Sequence, residues 1–146
     1  MKIKWYEFLI WTGIGALAAF ILTLIFNVTG LTRVSSFEEA SQGLFYVSDS
    51  IWVLIALYCF ATPLIEELIF RYCIYNLVLK YTKKAAIAII LTAALFGIYH
   101  LNPVQMLYGF LMGLLITYSY HRYKILTIPF LVHAAANAVA LAYTFL

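Results

Sequence analysis

Charge is what this sequence has least of. Asp, Glu, Lys and Arg make up 10% of its 146 residues, against 66% for the hydrophobic types. A soluble domain carries about a quarter charged residues and spreads them over its surface, so an ordinary soluble fold is excluded. Aspartate occurs once, at Asp49, and chemistry built on an aspartate pair is excluded with it. No His-Glu-x-x-His run offers a metalloprotease zinc site, and no Gly-x-Ser-x-Gly run offers a serine nucleophile. The two cysteines, Cys59 and Cys73, fall on one expected helix about 21 Å apart along its axis. That is beyond disulfide reach, and both read as small apolar fillers. The formal charge of +3 comes from basic clusters beside apolar runs, which are orientation signals and not a nucleic-acid footprint.

What remains is a series of apolar spans, and the expected fold class is an all-α, polytopic membrane helix bundle. The first run extends from Phe8 to Asn27, about 20 residues and enough to cross once. Ala16-Leu17-Ala18 resembles a signal cleavage site, but the run continues past it and exceeds a signal core of about 7–15 residues; a retained helix is expected. From Thr29 to Asp49 the chain is polar, and Ser35 with Glu38, or Ser36 with Glu39, has the spacing of a helix-capping box. A short amphipathic helix on the membrane surface is expected there, or else an ordinary connecting turn. The second span runs from Ser50 to Lys80, longer than one crossing needs, and Pro63 inside it should free the carbonyl of Cys59 and bend the helix. Ala85–Leu101 is the third span. Asn102-Pro103 then reverses the chain, with Asn102 as helix cap. Pro103–Tyr120 is the fourth, and its Gly109 and Gly113 have the GxxxG spacing of closely packed helices. Leu126–Leu146 is the fifth.

Basic residues fall on alternate connections: Lys2 and Lys4, then Lys80, Lys83 and Lys84, then Arg122 and Lys124. With about five crossings, all three clusters lie on one side, which the positive-inside rule makes cytoplasmic. The amino terminus is then inside and the carboxyl terminus outside. Residues 1–146 form one integral membrane domain, with its chemistry in residues 50–146. His121, among the basic residues, is expected to be solvated.

The chemistry begins with Glu66, Glu67 and Arg71, placed inside the second span. One carboxylate in hydrocarbon costs roughly 2.5–3.5 kcal/mol on insertion scales, so two adjacent ones need a reason. Glu67 and Arg71 are four apart, share a helix face and are expected to pair. Glu66 is rotated about 100° from Glu67 and is left to face another helix. Phe96 and His100 repeat the four-residue spacing on the third span, and His133 and Asn137 repeat it on the fifth. At 1.5 Å per residue, Glu66, His100 and Asn137 lie roughly 20–24 Å from the basic ends of their helices and His133 roughly 14 Å. Four polar residues on three helices thus occupy one layer of the bilayer. A carboxylate in a dry pocket is suited to act as a general base. Glu66 with His100 would deprotonate a water, and His133 and Asn137 would donate to the oxyanion formed when that water attacks an amide.

Glu66-Glu67-x-x-x-Arg71, Phe96-x-x-x-His100 and His133-x-x-x-Asn137, in that order on successive apolar helices, resemble the CAAX protease and bacteriocin-processing family, also called the Abi family of intramembrane glutamate proteases. The resemblance covers roughly residues 50–146. It implies that Glu66 and His100 activate water, that His133 and Asn137 form the oxyanion hole, and that Glu67 and Arg71 support them. It further implies a membrane-associated peptide or protein substrate and no cofactor. Zinc held by Glu66, His100 and His133 is the metal-dependent alternative. Composition and size point to a bacterial cell membrane, where processing of a bacteriocin or signalling peptide is a more natural task than prenyl-protein cleavage. A non-catalytic membrane scaffold or bacteriocin self-immunity protein is the non-enzymatic alternative.

Overall fold

The computed structural model describes residues 3–35 and 47–145. Among them there is no strand, and five helices account for nearly all of the chain. They are α1 (Trp5–Val28), α2 (Ile51–Thr82), α3 (Ala85–Tyr99), α4 (Pro103–Tyr123) and α5 (Thr127–Tyr143). A single 3-10 turn, Leu31–Arg33, follows α1. The surface helix expected around Ser36 and Glu39 falls on residues 36–46, outside the described residues.

The bundle is apolar on the outside and charged within. Leu9, Leu17, Phe20 and Leu24 of α1, Leu64, Ile65, Leu68 and Ile69 of α2, and Ile90, Leu91 and Leu95 of α3 are all exposed. Glu66, Glu67, Arg71 and His133 are buried. That inversion suits a lipid solvent, since exposed apolar area of this extent is a liability in water. Two helices, α1 and α2, are long and apolar enough to cross a membrane. α3 and α5 are apolar but shorter, at about 1.5 Å per residue too short for an untilted crossing of about 30 Å.

Neighbours in sequence are not all neighbours in space. α1 packs along α5 and touches α4, while α2 packs on α3 and α5. α3 and α4 form a tight antiparallel hairpin. Asn102 starts α4 as expected, its side-chain oxygen accepting from the Val104 and Gln105 N–H groups at 3.0 and 3.1 Å. Gly109 and Gly113 do serve close packing, and their partner is α3: a Cβ on Gly109 would lie 3.2 Å from the His100 ring, and one on Gly113 3.1 Å from Phe96.

Among the described residues, the basic clusters gather at one end of the bundle. Tyr123 at the end of α4 donates to Glu7 of α1 (2.9 Å) and accepts from Trp11 (3.0 Å). Lys124 reaches the Tyr75 hydroxyl of α2 at 3.4 Å. Here the structure corrects one expectation. His121 is not merely solvated: its Nδ1 lies 2.6 Å from the Tyr75 hydroxyl, because buried Tyr75 has no water to bond.

α2 departs most from a regular helix. Residues Ile55–Ala61 and Glu67–Tyr75 are π-helical, with α-helix over Thr62–Glu66 between them. Pro63 loosens the backbone as expected, but the orphaned carbonyl is a different one. The Thr62 N–H bonds Leu57, five residues back. In that register Pro63 stands opposite the carbonyl of Tyr58, not Cys59, and has no N–H to give.

Where α1 crosses α5, Gly15 lets the backbones meet, and an added Cβ would sit 2.6 Å from the Val132 carbonyl oxygen. Gly13, one turn face away, has nothing within 4 Å of such a carbon. Gly15→Ala should therefore cost about 1–3 kcal/mol by overpacking, and Gly13→Ala should not destabilise; thermal unfolding in detergent reads both.

Candidate active site

α2 brings Glu66, Glu67 and Arg71 into the bundle interior, and α5 brings His133 to meet them. The Glu67–Arg71 pair forms, Nη1 to Oε1 at 3.2 Å, with both side chains fully buried. Glu66 turns to another helix as expected, and that helix is α5: His133 Nε2 lies 3.4 Å from Glu66 Oε2. The difference lies in Glu67, which is not committed to Arg71 alone. His133 Nδ1 sits 2.8 Å from Glu67 Oε1, so one imidazole bridges both carboxylates. A π-helical turn contains more residues than an α-helical one and rotates less per residue. A widened turn starts at Glu67, directly after the α-helical segment that ends at Glu66.

The proton count constrains this bridge. A carboxylate accepts and a ring nitrogen must donate to it. With Nδ1–H given to Glu67, a neutral ring has only a lone pair left at Nε2, facing Glu66. A further proton between His133 and Glu66 converts that approach into a charge-assisted hydrogen bond. The buried group of two carboxylates, one guanidinium and one imidazolium is then neutral as a whole, which a low-dielectric interior requires.

Phe96 is the hub of the apolar half of the site. Its ring packs edge-on against His133 (5.4 Å), His100 (5.1 Å) and Phe70 (5.1 Å), and the Arg71 guanidinium lies over its face at 4.4 Å. Such a cation–π contact offsets part of the cost of burying Arg71. His100 ends α3, half-buried, with Nδ1 2.9 Å from the Phe96 carbonyl. A carbonyl oxygen only accepts, so Nδ1 carries a proton. His100 does not touch Glu66 directly, but it is near enough to act on that carboxylate electrostatically.

Asn137 is placed differently from the other polar residues. Its Nδ2 donates to the Tyr58 carbonyl at 2.7 Å, the carbonyl that Pro63 leaves without a helical partner. The motif on α5 therefore divides its work: His133 meets the carboxylates, and Asn137 braces the loosened turn of α2. Among the described residues, no three His, Cys, Asp or Glu side chains are grouped as a metal-ion site.

Sequence reasoning placed Glu66, Glu67, Arg71, His100, His133 and Asn137 in one region; the structure brings Glu66, Glu67, Arg71 and His133 into contact and joins His100 to them through Phe96, while Asn137 meets the Tyr58 carbonyl instead. It missed the Tyr58 carbonyl, because a backbone acceptor has no signature of its own. The usable signal was Pro63, with the carbonyl either four or five residues back depending on helix type. The hub role of Phe96 was also missed, although its spacing from His100 pointed to that helix face.

A helical bundle, apolar outside, that closes an acid–imidazole–guanidinium group between its helices defines a membrane-embedded protein with a polar site built for chemistry. Residues 48–139 match the family described as type II CAAX prenyl endopeptidase Rce1-like, and the chain belongs to that family. The family is one of membrane-embedded proteases. No curated protein and no solved structure matches the chain.

Asn137→Ala should leave the Tyr58 carbonyl without a partner and lower stability by about 1–3 kcal/mol. In a Pro63→Ala background the same substitution should cost less, because residue 63 then supplies an N–H. Melting temperatures of the four variants in one detergent check the difference.

Proposed function

We propose that the chain is an intramembrane endopeptidase of glutamate type, independent of metal, that hydrolyses a membrane-associated peptide or protein. The observation that carries this reading is the buried Glu66 carboxylate, 3.4 Å from His133 Nε2, beside a Glu67 charge already balanced by Arg71 at 3.2 Å. Glu67 and Arg71 hold His133, and Glu66 remains the group free to exchange a proton.

The step follows from those positions. Glu66 accepts a proton from water as the water oxygen bonds to the substrate carbonyl carbon. The carbonyl electrons move onto oxygen, forming an oxyanion. The C–N bond then breaks, and the leaving amine takes the proton from Glu66. His100 orients the water. Asn137 has a second amide N–H besides the one given to Tyr58, and we assign that N–H to the oxyanion. Both His133 nitrogens face carboxylates, which favours a role in holding the Glu66 proton over a free oxyanion donor. The same arrangement favours catalysis without zinc, since His133 Nδ1–H is given to Glu67 and Nε2 faces Glu66.

The membrane setting of this reading is five crossings with the amino terminus cytoplasmic and the carboxyl terminus outside, in a bacterial cell membrane. It is supported by the gathering of the described basic residues at one end of the bundle. An apolar groove of about 470 Å³, lined by Ile55, Cys59, Phe60, Phe130, Ala134 and Ala138 among others, runs beside the Asn137 contact. It suits an apolar substrate segment arriving from the lipid.

Glu66→Gln keeps the shape and removes the base, and should lower cleavage by roughly 10²–10⁴-fold. Mass spectrometry of membrane peptides from cells carrying the wild-type protein or Glu66→Gln should show a precursor accumulating with the variant. A phenotype retained by a normally expressed Glu66→Gln would instead mark a scaffold or immunity protein. Cleavage by purified protein should survive chelators; activity lost to a chelator and restored by zinc would replace the metal-free mechanism.

A further inference from the structure

Six buried side-chain atoms among the described residues have no hydrogen-bond partner in the protein: Oε2 of Glu67, Nε, Nη1 and Nη2 of Arg71, and the hydroxyls of Thr92 and Thr117. The Arg71–Glu67 approach at 3.2 Å is an ion contact without hydrogen-bond alignment. The six atoms are not scattered. Tyr75 of α2, Ala88 of α3 and Tyr120 of α4 form one packed cluster. One helical turn from each, toward the site, stand Arg71, Thr92 and Thr117. Contacts on the far side agree. Thr92 lies four residues before Phe96, whose ring carries the Arg71 guanidinium at 4.4 Å. Thr117 lies four residues after Gly113, where an added Cβ would meet Phe96 at 3.1 Å and Ala93 at 3.2 Å. Arg71, Thr92 and Thr117 thus form one layer of the bundle, each fully buried, with the tyrosine layer below and Phe96 above.

We propose that this layer is an internal hydration site behind the carboxylate pair, holding water between α2, α3 and α4. The required ligand must accept from the Arg71 N–H groups and donate to Glu67 Oε2. An anion would serve Arg71 and be repelled by Glu67; an apolar group would serve neither. Water does both, and buried waters commonly bridge such groups with about three hydrogen bonds each. The threonine hydroxyls, able to donate and accept, anchor the water from the two helices that carry no charge here. Thr92 and Thr117 act through that water as positioning residues: they keep Arg71 solvated and in place, and so fix Glu67 and the ring of His133. This assignment stands on the geometry, while its consequence for hydrolysis rests on the protease reading above.

The test is a structure of the full chain at a resolution that shows water, joined to a double-mutant cycle. Peaks within hydrogen-bond distance of the Arg71 guanidinium and both hydroxyls are expected. Thr92→Val and Thr117→Val, which keep the shape, should each lose peaks and lower the melting temperature. Together they should lower it by less than the sum, because the first already forfeits the shared water. Thr92→Ser and Thr117→Ser keep a hydroxyl and should keep the peaks. A layer with no such density, with both hydroxyls turned onto their own helix carbonyls and the valine effects simply adding, overturns the proposal. If a valine variant does not fold, wild-type and serine density still decide. Cleavage need not be measured, so a failed hydration site and a failed protease reading are told apart.

Discussion

The structure depends on balancing two adjacent carboxylates in a buried, low-dielectric interior. An unpaired carboxylate in a low-dielectric interior is too costly to keep. Glu66 and Glu67 persist because α2 supplies Arg71 one turn on and α5 supplies His133 across the interface. That demand reaches outward. Arg71 must itself be buried, so Phe96 gives it an aromatic face. His133 must come close to α2, so α5 is held against it by the Asn137–Tyr58 bond. α3 must come close to α4 for Phe96 to sit inward, and the glycines of α4 permit it.

The irregular winding of α2 belongs to the same account. A regular helix turns successive residues by about 100°, too far for one ring to meet both acids well. Both acids nevertheless reach His133, and the π-helical winding with Pro63 leaves the Tyr58 carbonyl in need of a partner. In a membrane such acceptors need a protein partner or a wet cavity. Asn137 is the partner at Tyr58. The irregular winding of α2 and the polar residues on its neighbour thus answer one another.

Membership of the Rce1-like family and the inside-out distribution of charge converge on one kind of chemistry. A protease working in lipid needs a proton acceptor, a way to hold water and an apolar approach for its substrate. On the proposed reading, the buried glutamate, the histidines around it and the groove between α2 and α5 would meet those needs in turn. The bridging of both acids by His133 adds something that a list of motif residues does not contain: the acids share a proton partner and act as one unit.

The helical class and the helix boundaries, to within a few residues, were legible from the chain, because hydropathy and four-residue spacing are local properties. Glu67 with Arg71 is a same-face pair on one helix, so its existence followed from spacing alone. The depth argument aligned Glu66, His100, His133 and Asn137 because helical rise is constant. Contacts between helices were not legible. Which acid meets which nitrogen of His133, and that Asn137 serves the Tyr58 carbonyl, depend on how α5 is rotated against α2. The placement of α1 on α5, and not beside α2, is equally a matter of packing at Gly15 and Val132. The sequence by itself determined the elements and the spacing of polar residues along them; only the tertiary structure decided their partners, because rotation about a helix axis is set by neighbours that the local pattern does not name.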